Sequence, residues 1–417
     1  MLRQLLQRAR AQGQELARLD RDIRLLFLAT VLHGTAQGLL NVVFGLYILS
    51  MGIRADVLGG ILSAGPLAQA AGSIPAGFLA ETIGFRQSFL LVYGIAGVAR
   101  FLQASTHRAP LISVAAFLGG LALSGEFVVR LPFLAANSEP KQRTRAYSVS
   151  SLLFSLSVSL GSLLAGYLPT LLQRVTSDLT VAYRYTLYLA SGLTLLALLP
   201  CLRMRQVLPQ RRRRISLHPY LWGMDRFTLQ QGIVSLFVGL SFGTIMSFAS
   251  VMFVYKLGAT REFFGTVAAL SIIPVSIATG LAPSIAARLG DVPAVTWLRA
   301  AIPASLITLA LTSSPLLGAV AYWGQRVLAM ASQPLSFAFA MDTATERAKA
   351  PVSAWLNVTF WLGNAIAAPV TGAFVARDDF ATPLYVASLS IVVAALCNQL
   401  FFQPIAARRR EEASLDN

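Results

Sequence analysis

Long apolar blocks alternate along the chain with short polar interruptions that carry glycine, proline or basic residues. The blocks run roughly 23–49, 57–83, 86–106, 110–136, 146–172 and 181–203, and resume after a basic stretch at 228–257, 262–289, 292–313, 315–342, 350–376 and 382–404. A helix crossing the hydrocarbon core of a bilayer needs about 20 apolar residues, so each block is long enough to span, and the longer ones imply tilt or protruding ends. In lipid every backbone N–H and C=O must be satisfied within the segment, which makes such blocks helices. The pattern predicts an all-α membrane protein of 12 transmembrane helices in two pseudo-symmetric six-helix bundles, residues 23–203 and 228–404. A tail at 1–22, a basic linker at 204–227 and a tail at 405–417 complete the organisation.

Composition removes the main competing classes. Of 417 residues, 55% are hydrophobic and 12% charged, against about 25% charged in a soluble domain. With a mean hydropathy of +0.64, the chain has too little polar side chain to coat a water-exposed surface. The net charge of +16 does not read as nucleic-acid binding, because the basic residues lie between apolar blocks and not on a polar face with interleaved aromatics. Counted on alternate sides of the blocks, Lys and Arg divide 23 to 7, which places both termini and the 204–227 linker in the cytoplasm. Arg211, Arg212, Arg213 and Arg214 in that linker are expected to anchor topology against anionic lipid. The polar, Arg-rich start of the chain does not have the order of a cleaved signal peptide. Cys201 and Cys397 lie in or beside apolar stretches and are expected to pack, without a disulfide framework.

An internal repeat organises the blocks. Arg143-Thr-Arg145-Ala after the fourth returns as Arg347-Ala-Lys349-Ala after the tenth, and Ile83-Gly84 after the second returns as Leu289-Gly290 after the eighth. Two parallel repeats joined by a long basic loop form a layout in which a solute site lies between the halves.

The stretch GFLAETIGFR, Gly77 to Arg86, resembles the loop signature of the major facilitator superfamily, G-x-x-x-D-[RK]-x-G-R-[RK]. Gly77, Gly84 and Arg86 match it, Glu81 stands for the aspartate, and Thr82 and Phe85 depart from its basic positions. The second-half copy keeps Arg288 and Gly290. The fourth block has Leu121 where many relatives carry an arginine, and the fifth, with Gly161 and Gly166, lacks the antiporter Gly-Pro. The resemblance implies a secondary carrier in a plasma (bacterial inner) membrane whose halves rock around a midplane cavity lined by helices 1, 4, 7, 10 and 11. It also implies a cytoplasmic gate at Gly77, Glu81, Gly84 and Arg86, with Glu81 near Val352. Efflux is favoured over uptake by the resemblance alone.

An ionisable side chain in hydrocarbon costs at least about 2.5–3.5 kcal/mol, so each one inside a block is a functional candidate. Glu126 and Arg130 share a face of the fourth block, either as a self-neutralising pair or as a proton site, with His33 as the second proton candidate. Arg326 in the tenth block shares a face with Tyr322, Trp323, Met330 and Gln333, a combination suited to an anionic or amphiphilic solute. Gln37 and Asn41 continue a polar stripe from His33, and Asn357, Trp361 and Asn364 form a similar one in the eleventh block. These are cavity-lining or helix-packing residues. Arg100 and Arg299, about two turns from block ends, are expected to snorkel. Ser148, Ser151, Ser155, Ser159 and Ser162 read as a small-residue packing seam.

No P-loop, metal-ligand spacing or catalytic carboxylate pair occurs, so no cofactor, metal or enzymatic activity is expected. The expected partners are a small-molecule solute, protons if transport is proton-coupled, and membrane lipid, with no nucleic acid, and the chain is expected to act as a monomer. Uptake or exchange of an organic anion, suggested by the excess of buried Arg over Glu, and a non-transporting membrane sensor of the same fold are the alternatives. A lipid flippase is a third.

Overall fold

The structure, a computed structural model, describes residues 20–76, 82–139, 142–205, 225–346 and 348–415. The described residues are helical, with no strand. The first bundle comprises α1 (Arg21–Ser50), α2 (Ala55–Gly72), α3 (Phe85–Ser105), α4 (Ala109–Ala136), α5 (Arg143–Thr176) and α6 (Leu179–Leu202). The second comprises α7 (Arg226–Lys256), α8 (Arg261–Leu289), α9 (Asp291–Leu311), α10 (Pro315–Thr343), α11 (Lys349–Val375) and α12 (Ala381–Leu415). Local chemistry sets the starts. The carboxylates of Asp20, Asp178 and Asp225 and the hydroxyl of Thr260 accept hydrogen bonds from first-turn N–H groups of α1, α6, α7 and α8. Proline stands in the first turns of α4 and α10, where a missing N–H costs nothing. Gly84 and Gly290 take φ of 82° and 89° and turn the chain into α3 and α9, so the repeated Ile-Gly and Leu-Gly pairs form the same left-handed corner in each half.

Ten of the helices are long and apolar enough to cross a bilayer by their own composition. α2 and α10 fall short of that measure, since α2 carries Asp56, Gln69 and several glycines, and α10 carries Gln325, Arg326 and Gln333. Large apolar side chains cover the outside, among them Leu316, Leu400 and Trp297, each about 70% exposed. An apolar surface of this extent needs lipid around it.

The interior repeats the sequence symmetry in its closest helix contacts. In α1 and α5, Gly38 and Gly161 lie against each other so tightly that a Cβ on either would run into the facing backbone, and Gly239 and Gly363 do the same between α7 and α11. Between the bundles, Gly59 of α2 meets Gly372 of α11, and Gly265 of α8 meets Gly166 of α5. These contacts between the halves lie toward the end where α1 finishes, here called the far end. There Gly45 of α1 also faces Val251 and Ser250 of α7. One apolar cluster, including Val42, Leu46, Leu58, Phe248 and Phe253, crosses from one bundle to the other. Toward the end where α1 starts, the first bundle has its own separate core around Phe89, Tyr93, Val129 and Phe133.

Candidate functional site

Three candidates named by their sequence positions meet inside the first bundle. His33 of α1 and Glu126 of α4 are 1% and 0% exposed, and His33 Nε2 lies 3.0 Å from Glu126 Oε2. Arg130, one turn along α4, brings Nη1 to 3.9 Å from Glu126 Oε1, too long for a hydrogen bond. Its guanidinium also lies 5.1 and 5.2 Å from the Phe127 and Phe154 ring centres, which supplies cation–π attraction where water is excluded. Tyr93 of α3, tilted against the His33 ring, directs its hydroxyl toward Glu126 Oε1 at 3.4 Å.

Arg100 corrects the snorkelling expectation. It is 5% exposed and points into the bundle, where Nη1 lies 3.4 Å from His33 Nδ1 and donates to the Thr194 hydroxyl of α6, while Nη2 donates to Gln37 Oε1 at 2.7 Å. Gln37 Nε2 in turn donates to Asn41 Oδ1 at 2.9 Å. The α1 stripe is thus a connected chain of polar groups, from the buried His33 to the half-buried Gln37 and Asn41. Burial of several charges is tolerable here because each has partners of opposite charge or polar acceptors. Sequence reasoning missed Tyr93 and Thr194 and placed Arg100 wrongly. The available signal was that Tyr93 and Arg100, seven residues apart, share a helix face.

The second bundle is built differently. Arg326 of α10 is half-buried, 5.6 Å from the Tyr322 ring centre, with Nη1 3.4 Å from the Tyr322 hydroxyl and a buried Nε that makes no hydrogen bond. Trp323 is anchored to α8 through Nε1 and the Val267 carbonyl at 2.8 Å. Gln333 is half-buried one turn before Phe337, and Trp361 packs edge-on to Phe360 at 5.1 Å. Asn357 is exposed and bonds back to Ser353 O. Asn364 is buried in the α7–α11 seam against Gly243, with an Nδ2 that makes no hydrogen bond. Arg299 of α9 also departs from snorkelling, since it is 4% exposed and its Nε and Nη1 have no hydrogen-bond partner.

Of the gate residues, Gly77 and Glu81 lie outside the described residues, and so does the expected approach of Glu81 to Val352. Gly84 caps α3 and accepts from Ser88, while Arg86 is half-buried with an unbonded Nε. Arg211 to Arg214 also lie outside the described residues. In the serine series of α5, Ser162 packs beside Gly161 and Ser159 donates to the Ala269 carbonyl of α8, whereas Ser148, Ser151 and Ser155 are exposed. Cys201 is buried, Cys397 is half-buried, and both are free thiols. Among the described residues no three His, Cys, Asp or Glu groups gather as metal ligands.

Comparison with known proteins agrees with this architecture. Residues 26–219 match the family model described as Major Facilitator Superfamily. No curated protein matches the sequence. Among solved structures, a point mutant of the nucleoside transporter NupG superposes with a TM-score of 0.77 at 12% identity, covering 92% of this chain and 100% of that one. A bacterial homologue of the human lysosomal transporter Spinster gives 0.70 at 15% identity, covering 93% and 96%, and a D-xylose-proton symporter gives 0.69 at 15%, covering 90% and 97%. The first bundle and the stretch after it thus match the Major Facilitator Superfamily sequence pattern, and the chain as a whole shares the fold of these transporters.

Proposed function

We propose that this protein is a secondary active carrier that moves a small organic or amphiphilic solute across a plasma (bacterial inner) membrane, driven by protons through Glu126. In this reading all twelve helices cross the bilayer, both termini and the 204–227 linker face the cytoplasm, and a single chain is the working unit. Export is the working direction taken from the family resemblance. The observation that carries the reading is the buried His33–Glu126 pair beside Arg130. A carboxylate and an imidazole in a dry interior exchange protons only when the surroundings rearrange, and that requirement ties proton uptake to movement. The far-end contacts between the bundles, Gly59–Gly372 and Gly166–Gly265, are the ones that must open for the opposite face to be exposed.

The test is transport in proteoliposomes. Glu126→Gln is expected to abolish solute movement driven by a pH gradient while leaving solute exchange at zero gradient. Full gradient-driven movement by that variant overturns the reading. A second reading, exchange or uptake of an organic anion, is favoured by the unbonded guanidinium nitrogens of Arg326, Arg299 and Arg130 set against the interior carboxylate of Glu126. Transport that follows membrane potential and is blocked by neutralising Arg326 identifies that case.

A further inference from the structure

The geometry points to Arg100 as the positioning residue that couples the proton on His33 to the half-buried amides of Gln37 and Asn41. This rests on the proton-coupled reading above and adds a mechanism to it.

A guanidinium only donates hydrogen bonds. With Arg100 Nη1 at 3.4 Å from His33 Nδ1, that ring nitrogen carries a lone pair toward Arg100. The imidazole proton then sits on Nε2, consistent with its 3.0 Å approach to Glu126 Oε2. His33 is therefore a neutral bridge, with a cation on its acceptor side and a carboxylate on its donor side. A second proton would have to enter at Nδ1, where it would meet an N–H donor and a like charge. Arg100 must withdraw for that proton to be taken up.

Withdrawal has a defined consequence. The same guanidinium holds Gln37 Oε1 at 2.7 Å through Nη2, and this bond fixes which way the amide faces, with Nε2 toward Asn41. When Arg100 leaves, Gln37 Oε1 loses its donor and the amide is free to turn. The half-buried face of α1 then changes its pattern of donors and acceptors. A proton arriving at His33 is thereby read one and two turns along α1, at the half-buried Gln37 and Asn41.

The charged and titratable groups around His33 are consistent with this division. α4 presents Glu126 and Arg130, α3 presents Tyr93 and Arg100, and α6 presents the Thr194 hydroxyl and, near Glu126 and Tyr93, the Cys201 thiol. From α5 come Ser157, against Gly34, and the Phe154 ring under Arg130. Among these groups Arg100 alone touches both His33 and Gln37. In the second bundle the repeat places Leu306 opposite Arg100, and the buried Arg299 of the same helix, α9, aligns with Tyr93 and leaves Nε and Nη1 unbonded, so it forms no equivalent bridge through those atoms.

The test uses the full chain in detergent or nanodiscs and needs no solute. Nitrogen-15 labelling of the three histidines, with His33 assigned by His33→Gln, reads the state of each ring nitrogen directly. The wild type is expected to show a bare Nδ1 and a protonated Nε2. Arg100→Met is expected to lose that single tautomer and let His33 take a second proton as pH falls. Arg100→Lys keeps the charge but is too short in its donor array to reach both partners, so it should preserve the tautomer and release Gln37. The release is read by maleimide labelling of a single cysteine at Leu40, beside Gln37, with Cys201 and Cys397 replaced. In the wild type the rate should rise about tenfold on acidification, the scale of losing one charge-assisted hydrogen bond, and in Arg100→Lys it should be fast and independent of pH. Unchanged His33 nitrogen shifts in Arg100→Met, or pH-dependent labelling in Arg100→Lys equal to the wild type, overturns the proposal. If both signatures appear but vesicles show no proton-driven transport, the carrier reading fails and the Arg100 coupling stands.

Discussion

Glu126 holds the first bundle's interior charges together, and replacing it measures how. Glu126→Gln keeps the volume and one acceptor oxygen but removes the negative charge, leaving Arg130 and Arg100 as cations without a counter-charge in a site less than a tenth exposed. Breaking a buried pair from one side costs about 3–5 kcal/mol. The geometry ranks the partners. The His33 contact at 3.0 Å is the closer approach to the carboxylate, although neither His33 Nε2 nor Glu126 Oε2 is aligned there for a hydrogen bond. The Arg130 contact at 3.9 Å is an ion pair without a hydrogen bond, and Arg130 keeps its attraction to Phe127 and Phe154 when the carboxylate is gone. A double-mutant cycle of Glu126→Gln with His33→Gln should therefore return a coupling of about 1–3 kcal/mol, and the cycle with Arg130→Met a smaller one. Thermal unfolding in one detergent at fixed pH supplies the readout, at about 2–4 °C per kcal/mol for a unit of this size. A coupling to Arg130 equal to or larger than that to His33 refutes the ranking and, with it, the assignment of His33 as the carboxylate's main partner.

The glycine seams make a second prediction. Gly161→Ala and Gly239→Ala place a methyl into the facing backbone at Thr35 and Phe360, whereas a methyl at Gly60 meets nothing within 4 Å. The first two should lower the melting temperature by the equivalent of about 1–3 kcal/mol, and Gly60→Ala should leave it unchanged or slightly raised. The far-end contact makes a third. Thr170 of α5 donates to Glu262 of α8 across the bundles, so a Thr170→Cys/Glu262→Cys pair in a background without Cys201 and Cys397 should crosslink under mild oxidation and arrest transport until reduced. Crosslinking at full transport rate would mean that this end does not open.

The sequence carried the helix pattern because lipid imposes a length and a composition on each span, and it carried the repeat because the same Gly corner recurs at Gly84 and Gly290. It also located His33, Glu126 and Arg130, since charge is conspicuous where charge is costly. Arg100 was misread for a physical reason. Its distance from a helix end permits snorkelling, and only the packing of α3 against α1 and α6 shows a nearer acceptor in Gln37 and Thr194. For Asn364 the sequence left cavity lining and helix packing both open, because an i, i+4 and i, i+7 spacing gives a face without saying what that face meets, and the close approach to Gly243 selects packing.

The two halves share a backbone plan and divide the chemistry. Gly38–Gly161 and Gly239–Gly363 bring the paired helices equally close, so the halves are mechanically alike. Yet the first bundle surrounds Arg100 with a histidine, a hydroxyl and an amide, whereas Arg299 in the second keeps unbonded nitrogens and Arg326 bonds to Tyr322 with its Nε left over. A symmetric frame with asymmetric charge has a direct consequence for coupling. In the proposed cycle, rocking one bundle against the other would carry the His33–Glu126 site of one side past the under-neutralised guanidinium groups of the other, so the electrostatic energy of an interior charge would differ between the two open states. That difference is what an ion gradient requires in order to favour one state over the other.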